Sequence, residues 1–401
     1  MGKNTKKLIF LLSLLILLSC LFIIIKNNTL YDDEFGHFSQ IKLFLEGKLE
    51  IYKGISLIPG YHLITAVIAK LTGLTSVPEL RIISYSFSLL TIITFFKITQ
   101  VIDPHFSFLK TFQFAFFPVL FPYLFLLYNE SLSILLVLLS FYSILLKKNF
   151  LGGIFSIISV LVRQTNFVWL VFFFIYIYLR KYSNKSNLIN FIKYSTENWV
   201  YPLGMFLFIV FLINNKGFAI GTQNYHPNFS LRLGNIYWAL FSFFFLLLPL
   251  NLYNFQKILN FLKKNYFLVI SLFFFIFIGA LTFRIDHPWN INPEHLRNRV
   301  LIFITSSTIS QLVFFVLIAY SFLSLSFIKL INKKYYLIYP FSFFTLAPIW
   351  LIESRYYLIP FIFFLLFRKI KNKEIEFAIS IIFIILSLIF YRGYLKQLFY
   401  L

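Results

Sequence analysis

Apolar runs about as long as a bilayer is thick recur from one end of this chain to the other, and that recurrence restricts the fold more than any motif does. The first runs unbroken from Leu8 to Ile25, behind Lys3, Lys6 and Lys7. Others follow at Leu80 to Val101, Phe112 to Tyr128, Leu132 to Leu146, Leu151 to Val162, Phe167 to Leu179, Trp199 to Ile213, Ile236 to Tyr253, Tyr266 to Phe283, Val300 to Ile328, Tyr335 to Ile352, Tyr357 to Phe367 and Ile375 to Tyr391. In hydrocarbon the backbone must satisfy its own hydrogen bonds, so runs of this length predict helices. The expected fold is all-α, a polytopic membrane protein of about thirteen spans. With 12% charged and 60% hydrophobic residues and a mean hydropathy of +0.83, a soluble globular chain is excluded. The single Cys20 rules out an internal disulfide framework.

The opening run is long for a signal peptide and no Ala-x-Ala site follows it, so a retained anchor with a cytoplasmic start is expected. The run from Ile55 to Leu71 is short, opens on Pro59-Gly60 and carries His62 and Lys70. Read as a partial or re-entrant helix, it lets the clusters Lys147-Lys148, Arg180-Lys181, Lys263-Lys264, Lys333-Lys334 and Arg368 to Lys373 share the cytoplasmic side. Asp32, Asp33, Glu34, Glu130, Asp286 and Glu353 then fall outside. The net charge of +22 is therefore read as basic loops facing the cytoplasm, and no nucleic-acid partner is expected. The chain is taken as one membrane domain, 1–401, with external loops at 26–56, 214–235 and 284–299.

Polar residues gather on the predicted external side. The first loop reads Tyr31-Asp32-Asp33-Glu34-Phe35-Gly36-His37-Phe38-Ser39-Gln40. In a helical continuation Asp33, His37 and Gln40 would share a face; the alternative is a solvated acidic helix start. Asn129-Glu130, Arg163-Gln164-Thr165-Asn166, Asp286-His287 and Glu353-Ser354-Arg355-Tyr356 sit at further external turns. Singly, Arg163 and Arg355 are explained by snorkelling and His287 by loop capping. Together they suit glycosyl transfer from a lipid-linked sugar phosphate: a carboxylate takes the acceptor hydroxyl proton, and guanidinium groups hold the departing phosphate. A lipid-linked sugar transporter is the rival class, for which discontinuous helices and related halves would be expected.

These residues resemble the GT-C membrane glycosyltransferases, and within them the alpha-1,2-glucosyltransferases that add the last glucose to the dolichol-linked oligosaccharide. Tyr31, Asp33, Glu34, His37 and Gln40 match that family's first loop, and Pro59-Gly60-Tyr61-His62 resembles its Pro-Gly-x-Tyr stretch. Leu80-Arg81, Phe117-Pro118 through Tyr128-Asn129-Glu130, Arg163-Gln164-Thr165-Asn166-x-x-Trp169, His287-Pro288 and Glu353-x-Arg355-Tyr356-x-x-x-Pro360 follow in order. The family's His-Pro loop continues into Asp-Asn-Arg-His, where this chain has Pro293, Glu294, His295 and Leu296.

The resemblance implies an inverting transferase that moves a sugar from a polyprenyl- or dolichyl-phosphate donor to a lipid-linked glycan, without metal or cofactor. It implies Asp33 as general base with Glu34 as the rival, and His37 either as a hydrogen-bond partner of base or acceptor or as a structural cap. Arg163 and Arg355 are the candidates for the donor phosphate. Gln40, Glu130, Gln164, Asn166, His287 and Glu353 are candidates for substrate contacts. A cell-envelope transferase with another sugar is the alternative within the class. The expected location is the endoplasmic reticulum in a eukaryote and the plasma membrane in a prokaryote. Asn27-Asn28-Thr29 and Asn228-Phe229-Ser230 lie on the external side, and the second is a candidate glycosylation acceptor.

Overall fold

The computed structural model describes residues 3–182, 187–221 and 231–399. The loop residue His226 and the triplet Asn228-Phe229-Ser230 lie outside the described residues. The chain divides into two compact units, Met1–Ala115 with Leu120–Asn228 and Tyr336–Phe341, and Phe116–Val119 with Phe229–Tyr335 and Ser342–Leu401.

The first unit contains α1 (Lys3–Ile25), α2 (Glu34–Leu45), α3 (Gly60–Thr72), α4 (Val77–Ile102), α5 (Ser107–Ala115), α6 (Glu130–Leu145), α7 (Asn149–Val162), α8 (Phe167–Tyr182), α9 (Leu188–Glu197) and α10 (Val200–Asn215). Helix α3 ends where Gly73 takes φ +75°, a conformation that costs glycine little. Helix α4 starts at once on a Ser76/Glu79 capping box, with Pro in the first turn where no amide is needed. Its buried side packs with α2, α3 and α6 around Ile41, Tyr61, Leu80, Ile83, Leu132 and Val162.

The second unit contains α11 (Gly234–Leu246), α12 (Leu248–Lys264), α13 (Tyr266–Thr282), α14 (Pro288–Ile291), α15 (Leu296–Thr305), α16 (Thr308–Ser326), α18 (Leu358–Phe367) and α19 (Lys373–Leu395); α17 (Ile338–Leu346) has residues in both units. Phe243, Phe361 and Phe364 pack in its interior beside Phe117. Among the described residues there is no strand, and the one isolated bridge joins Leu330 to Arg368.

The protein is thus an all-helical integral membrane protein. Among the described residues, four helices are long and apolar enough to cross a bilayer: Thr5–Ile25, Val77–Ile102, Thr308–Ser326 and Lys373–Leu395. Two further pairs, Leu188–Glu197 with Val200–Asn215 and Gly234–Leu246 with Leu248–Lys264, reach that length only across bends of 86° and 97°. Several runs read as single spans are broken. The run from Phe112 to Tyr128 is helical only to Ala115 and then turns, since Pro118 and Pro122 supply no amide hydrogens to an α-helical ladder. The run from Val300 to Ile328 breaks at Ser306-Ser307, where Ser307 caps α16 through its side chain.

Candidate active site

The segment Tyr31 to Gln40 is shaped by two local features. Asp32 takes φ +55°, a left-handed conformation that aspartate tolerates better than most residues, and α2 begins directly after Asp33. Glu34, His37 and Gln40 then fall on the buried face of α2, while Asp33 is exposed. The face expected to join Asp33 to His37 and Gln40 is therefore occupied by Glu34 instead, because the helix begins one residue later than Asp33.

Glu34 is fully buried and fixed. Arg81 Nε donates to its Oε1 at 2.9 Å and Nη2 to its Oε2 at 2.6 Å. The amides of Leu127 (2.8 Å) and Tyr31 (3.1 Å) donate to the same carboxylate. The rest of the Arg81 guanidinium donates to the carbonyls of Lys26, Asn28 and Thr29, at and beyond the end of α1, where helix carbonyls lack intrahelical partners. One arginine thus joins the end of the first span, the acidic segment and α4. A carboxylate held by four donors has its acceptor positions occupied. Gln40 is also occupied: its Oε1 accepts from Tyr52 N and its Nε2 donates to Glu50 O, pinning the loop that follows α2. His37 Nδ1 lies 2.8 Å from Nε2 of His62, which shares its buried environment with Tyr61.

The connection between α5 and α6 links this segment to the arginine motif. Leu127 contacts Glu34 as above, Tyr128 packs its ring on His37, and Glu130 opens α6. Glu130 Oε1 accepts from Arg163 Nη1 at 3.2 Å, and both side chains are largely withdrawn from solvent. Arg163 stands on an extended residue between α7 and a single 3-10 turn, Gln164–Asn166, that leads into α8. Gln164 Nε2 donates to the carbonyls of Ser56 and Phe218, and Asn166 Nδ2 to Ser133 Oγ and Ser159 O. Their other ends, Gln164 Oε1 and Asn166 Oδ1, are buried without a hydrogen-bond partner, as is Asn129 Nδ2. Such atoms ordinarily find a water or a ligand.

The second unit repeats this local pattern. Glu353 is extended, a 3-10 turn Ser354–Tyr357 follows, and α18 begins. Buried Glu353 pairs with Arg355, whose Nε lies 2.6 Å from Oε1, and with Arg297 Nη2 at 3.5 Å from the same oxygen. Two guanidinium groups therefore face one carboxylate, an arrangement suited to an anion. Amide side chains fix the backbone here: Asn235 accepts from Glu353 N and Asn290 from Ile352 N, while Asn298 Nδ2 donates to the carbonyls of Trp289 and Asn292. His287 is buried, accepts from Trp289 N at Nδ1, and so carries its neutral-form proton on Nε2. Beside it Asp286 accepts from Trp350 Nε1 (2.6 Å) and Arg232 (3.1 Å). Partial burial, the largest influence on Asp286, pushes its pKa up; these hydrogen bonds and the Arg232 charge outweigh it and hold the carboxyl below its ordinary value. Nothing in the sequence marks Arg297, Asn235 and Asn298, since no spacing connects them to Glu353.

The chain is similar to known proteins over most of its length. A sequence profile of the DIE2/ALG10 family matches residues 27–188 and 177–366. Three relatives carry the name Dol-P-Glc:Glc(2)Man(9)GlcNAc(2)-PP-Dol alpha-1,2-glucosyltransferase. The Candida albicans protein is 29% identical over 185 residues, covering 43% of this chain and 41% of its own length. The Debaryomyces hansenii protein is 29% identical over 126 residues, 27% of each. The rat protein is 23% identical over 333 residues, 68% of this chain and 70% of its own. The chain thus spans less than half the length of the two fungal relatives. No solved structure matches it.

Proposed function

Because the chain belongs to the DIE2/ALG10 family, we propose that it is an inverting alpha-1,2-glucosyltransferase of the GT-C type, taking glucose from dolichyl-phosphate glucose and adding it to a lipid-linked oligosaccharide. The reaction face is external or lumenal, in the endoplasmic reticulum membrane, and the long helices, bent pairs and shorter apolar helices among the described residues supply up to ten of the roughly thirteen crossings expected from the sequence.

In this mechanism Asp33 accepts the proton of the acceptor hydroxyl as its oxygen bonds to the anomeric carbon. The bond from that carbon to the phosphate oxygen breaks with inversion, and the phosphate departs as an anion that needs no proton. The observation that carries Asp33 over Glu34 is their opposite placement: Asp33 is exposed at the start of α2, while Glu34 is buried under Arg81. His37 is assigned to orienting this segment through His62. Arg163 is assigned to the donor phosphate, and Arg355 receives the same role, supported by the presence of two arginines on Glu353. The unsatisfied oxygens of Gln164 and Asn166 support their reading as acceptors for sugar hydroxyls, with Glu130 and His287 as further polar contacts. Gln40 is assigned to holding its loop.

Metal independence is part of the proposal. Glu34, Glu130 and Glu353 are each already neutralised by arginine, which leaves them poor ligands for a hard cation. The test is transfer from radiolabelled polyprenyl-phosphate sugars in detergent, with the product linkage determined and a chelator arm included. Transfer of glucose in 1,2-linkage, undiminished by chelator, is expected. Transfer of another sugar would move the protein to a cell-envelope role, and movement of a lipid-linked sugar without transfer would make it a transporter.

A further inference from the structure

The second unit carries a basic pocket at the opposite end of α16 and α18 from Glu353. Its lining includes Lys257 of α12, Lys329 from the turn after α16, and Arg368, Lys369 and Lys371 from the connection between α18 and α19. Glu376 is the one acid that lines it, and Arg368 holds that carboxylate through Nη1 to Oε1 at 3.0 Å and Nη2 to Oε2 at 2.5 Å. The pocket's acid is thus spent on its arginine, and the lysines remain as the positive wall.

The backbone holds those lysines together. Ile331 N donates to Phe367 O and Lys369 N to Lys329 O, both at 2.8 Å, around the antiparallel bridge of Leu330 with Arg368. This places Lys329 directly across from Lys369. Like charges opposite one another in an antiparallel pair are destabilising unless an anion lies between them. Stacking of Tyr335 on Phe367, with ring centroids 3.9 Å apart, fixes the same ladder.

Helix α12 sets the level of the pocket in the membrane. It turns 97° from α11 and exposes Leu252 (63%) and Phe255 (48%), while Asn251, Asn254 and Ile258 face the protein. Its outward apolar side chains, beyond a sharp bend and ahead of Lys263-Lys264, suit the acyl boundary near a membrane surface. Lys263 and Lys264 end it, and Lys333 and Lys334 follow the ladder, so this end is the cytoplasmic one by the positive-inside tendency. That leaflet carries the anionic phospholipids.

We propose that this pocket binds a phosphate ester, and that its source is the headgroup of an anionic phospholipid of the cytoplasmic leaflet. The site is separate from the transfer chemistry and anchors the second unit to the leaflet on the far side.

The full-length protein in detergent is titrated with phosphatidic acid, phosphatidylcholine and inorganic phosphate and followed by native mass spectrometry. It is compared with Lys257→Ala/Lys329→Ala/Lys369→Ala, which alters exposed or half-buried side chains and leaves the Arg368–Glu376 pair intact. One phosphatidic acid bound with a preference of roughly tenfold or more over phosphatidylcholine, and parity in the triple variant, is the expected result. Binding of inorganic phosphate without a lipid preference, lost in the variant, would retain the phosphate chemistry and give the pocket to a soluble ester. Equal binding of both lipids with no phosphate binding, or a preference unchanged in the variant, would overturn the site. A monodisperse elution profile and unchanged melting temperature of the variant separate loss of binding from loss of fold.

Discussion

Arg81 grips both oxygens of Glu34 with two parallel hydrogen bonds, and neither side chain reaches solvent. The pair sits where the first span ends and the acidic segment begins, so it fixes the entry of the chain into α2. Removing one partner leaves the other charged and buried, which costs about 3–5 kcal/mol in comparable sites. Arg81→Ala and Glu34→Gln are therefore expected to lower the melting temperature of the purified protein sharply. Arg81→Lys is expected to rescue little, because a point charge cannot reproduce the planar fork. Wild-type melting of Arg81→Ala would show the pair to be dispensable.

Asp33 should behave in the opposite way to its neighbour. It is exposed, so Asp33→Asn is expected to insert and melt as the wild type does. Loss of a general base typically reduces turnover about 10²- to 10⁴-fold, and the fall should appear in kcat rather than in the KM for the lipid donor. Full transfer activity in Asp33→Asn would remove it from the mechanism.

The contrast between these neighbours marks what the sequence makes legible. That acids cluster beyond the first span is readable from Asp32, Asp33 and Glu34, and the family motif picks out Leu80-Arg81. Which acid Arg81 takes is not readable, because the choice depends on where α2 begins and on a contact 47 positions away. The same holds for Arg297, which reaches Glu353 only through the packing of the second unit. Helices such as α4, α16 and α19 follow from apolar length. The breaks after Ala115 and Leu246 do not, since apolarity continues through them while hydrogen-bond geometry changes; the break after Thr305 falls at the polar Ser306-Ser307-Thr308 inside an otherwise apolar run.

Gly60 tests the link between the partial helix and the arginine motif. A Cβ there would lie 2.4 Å from the carbonyl oxygen of Leu161 and 2.7 Å from its carbon, both backbone atoms. Leu161 and Val162 directly precede Arg163, so alanine must push α3 away from the end of α7. Gly60→Ala is expected to destabilise by about 1–3 kcal/mol, as overpacking does, and to raise the KM for the sugar-phosphate donor by displacing Arg163. Unchanged stability together with unchanged KM would show that this contact is loose.

His62 gives the protein a dependence on acid. It is buried against His37, and across the 2.8 Å contact one ring nitrogen donates while the other accepts, a contact that the neutral pair can make. Burial foremost, and the charge of His37 second, hold the His62 pKa well below its ordinary 6.5; the Pro59 carbonyl works the other way. Once unfolded, His62 titrates near that ordinary value. As the pH falls below 6.5, the unfolded chain takes up a proton that the folded one refuses, so folding stability is complete above that pH and declines toward the folded-state pKa. His62→Gln keeps a hydrogen-bonding side chain but cannot titrate. The wild type is therefore expected to lose more melting temperature than His62→Gln between about pH 7 and pH 5. Parallel curves for the two proteins, or a steeper decline in the variant, would mean that acid acts elsewhere. A His62→Gln protein that fails to fold would be replaced by His62→Asn in the same comparison.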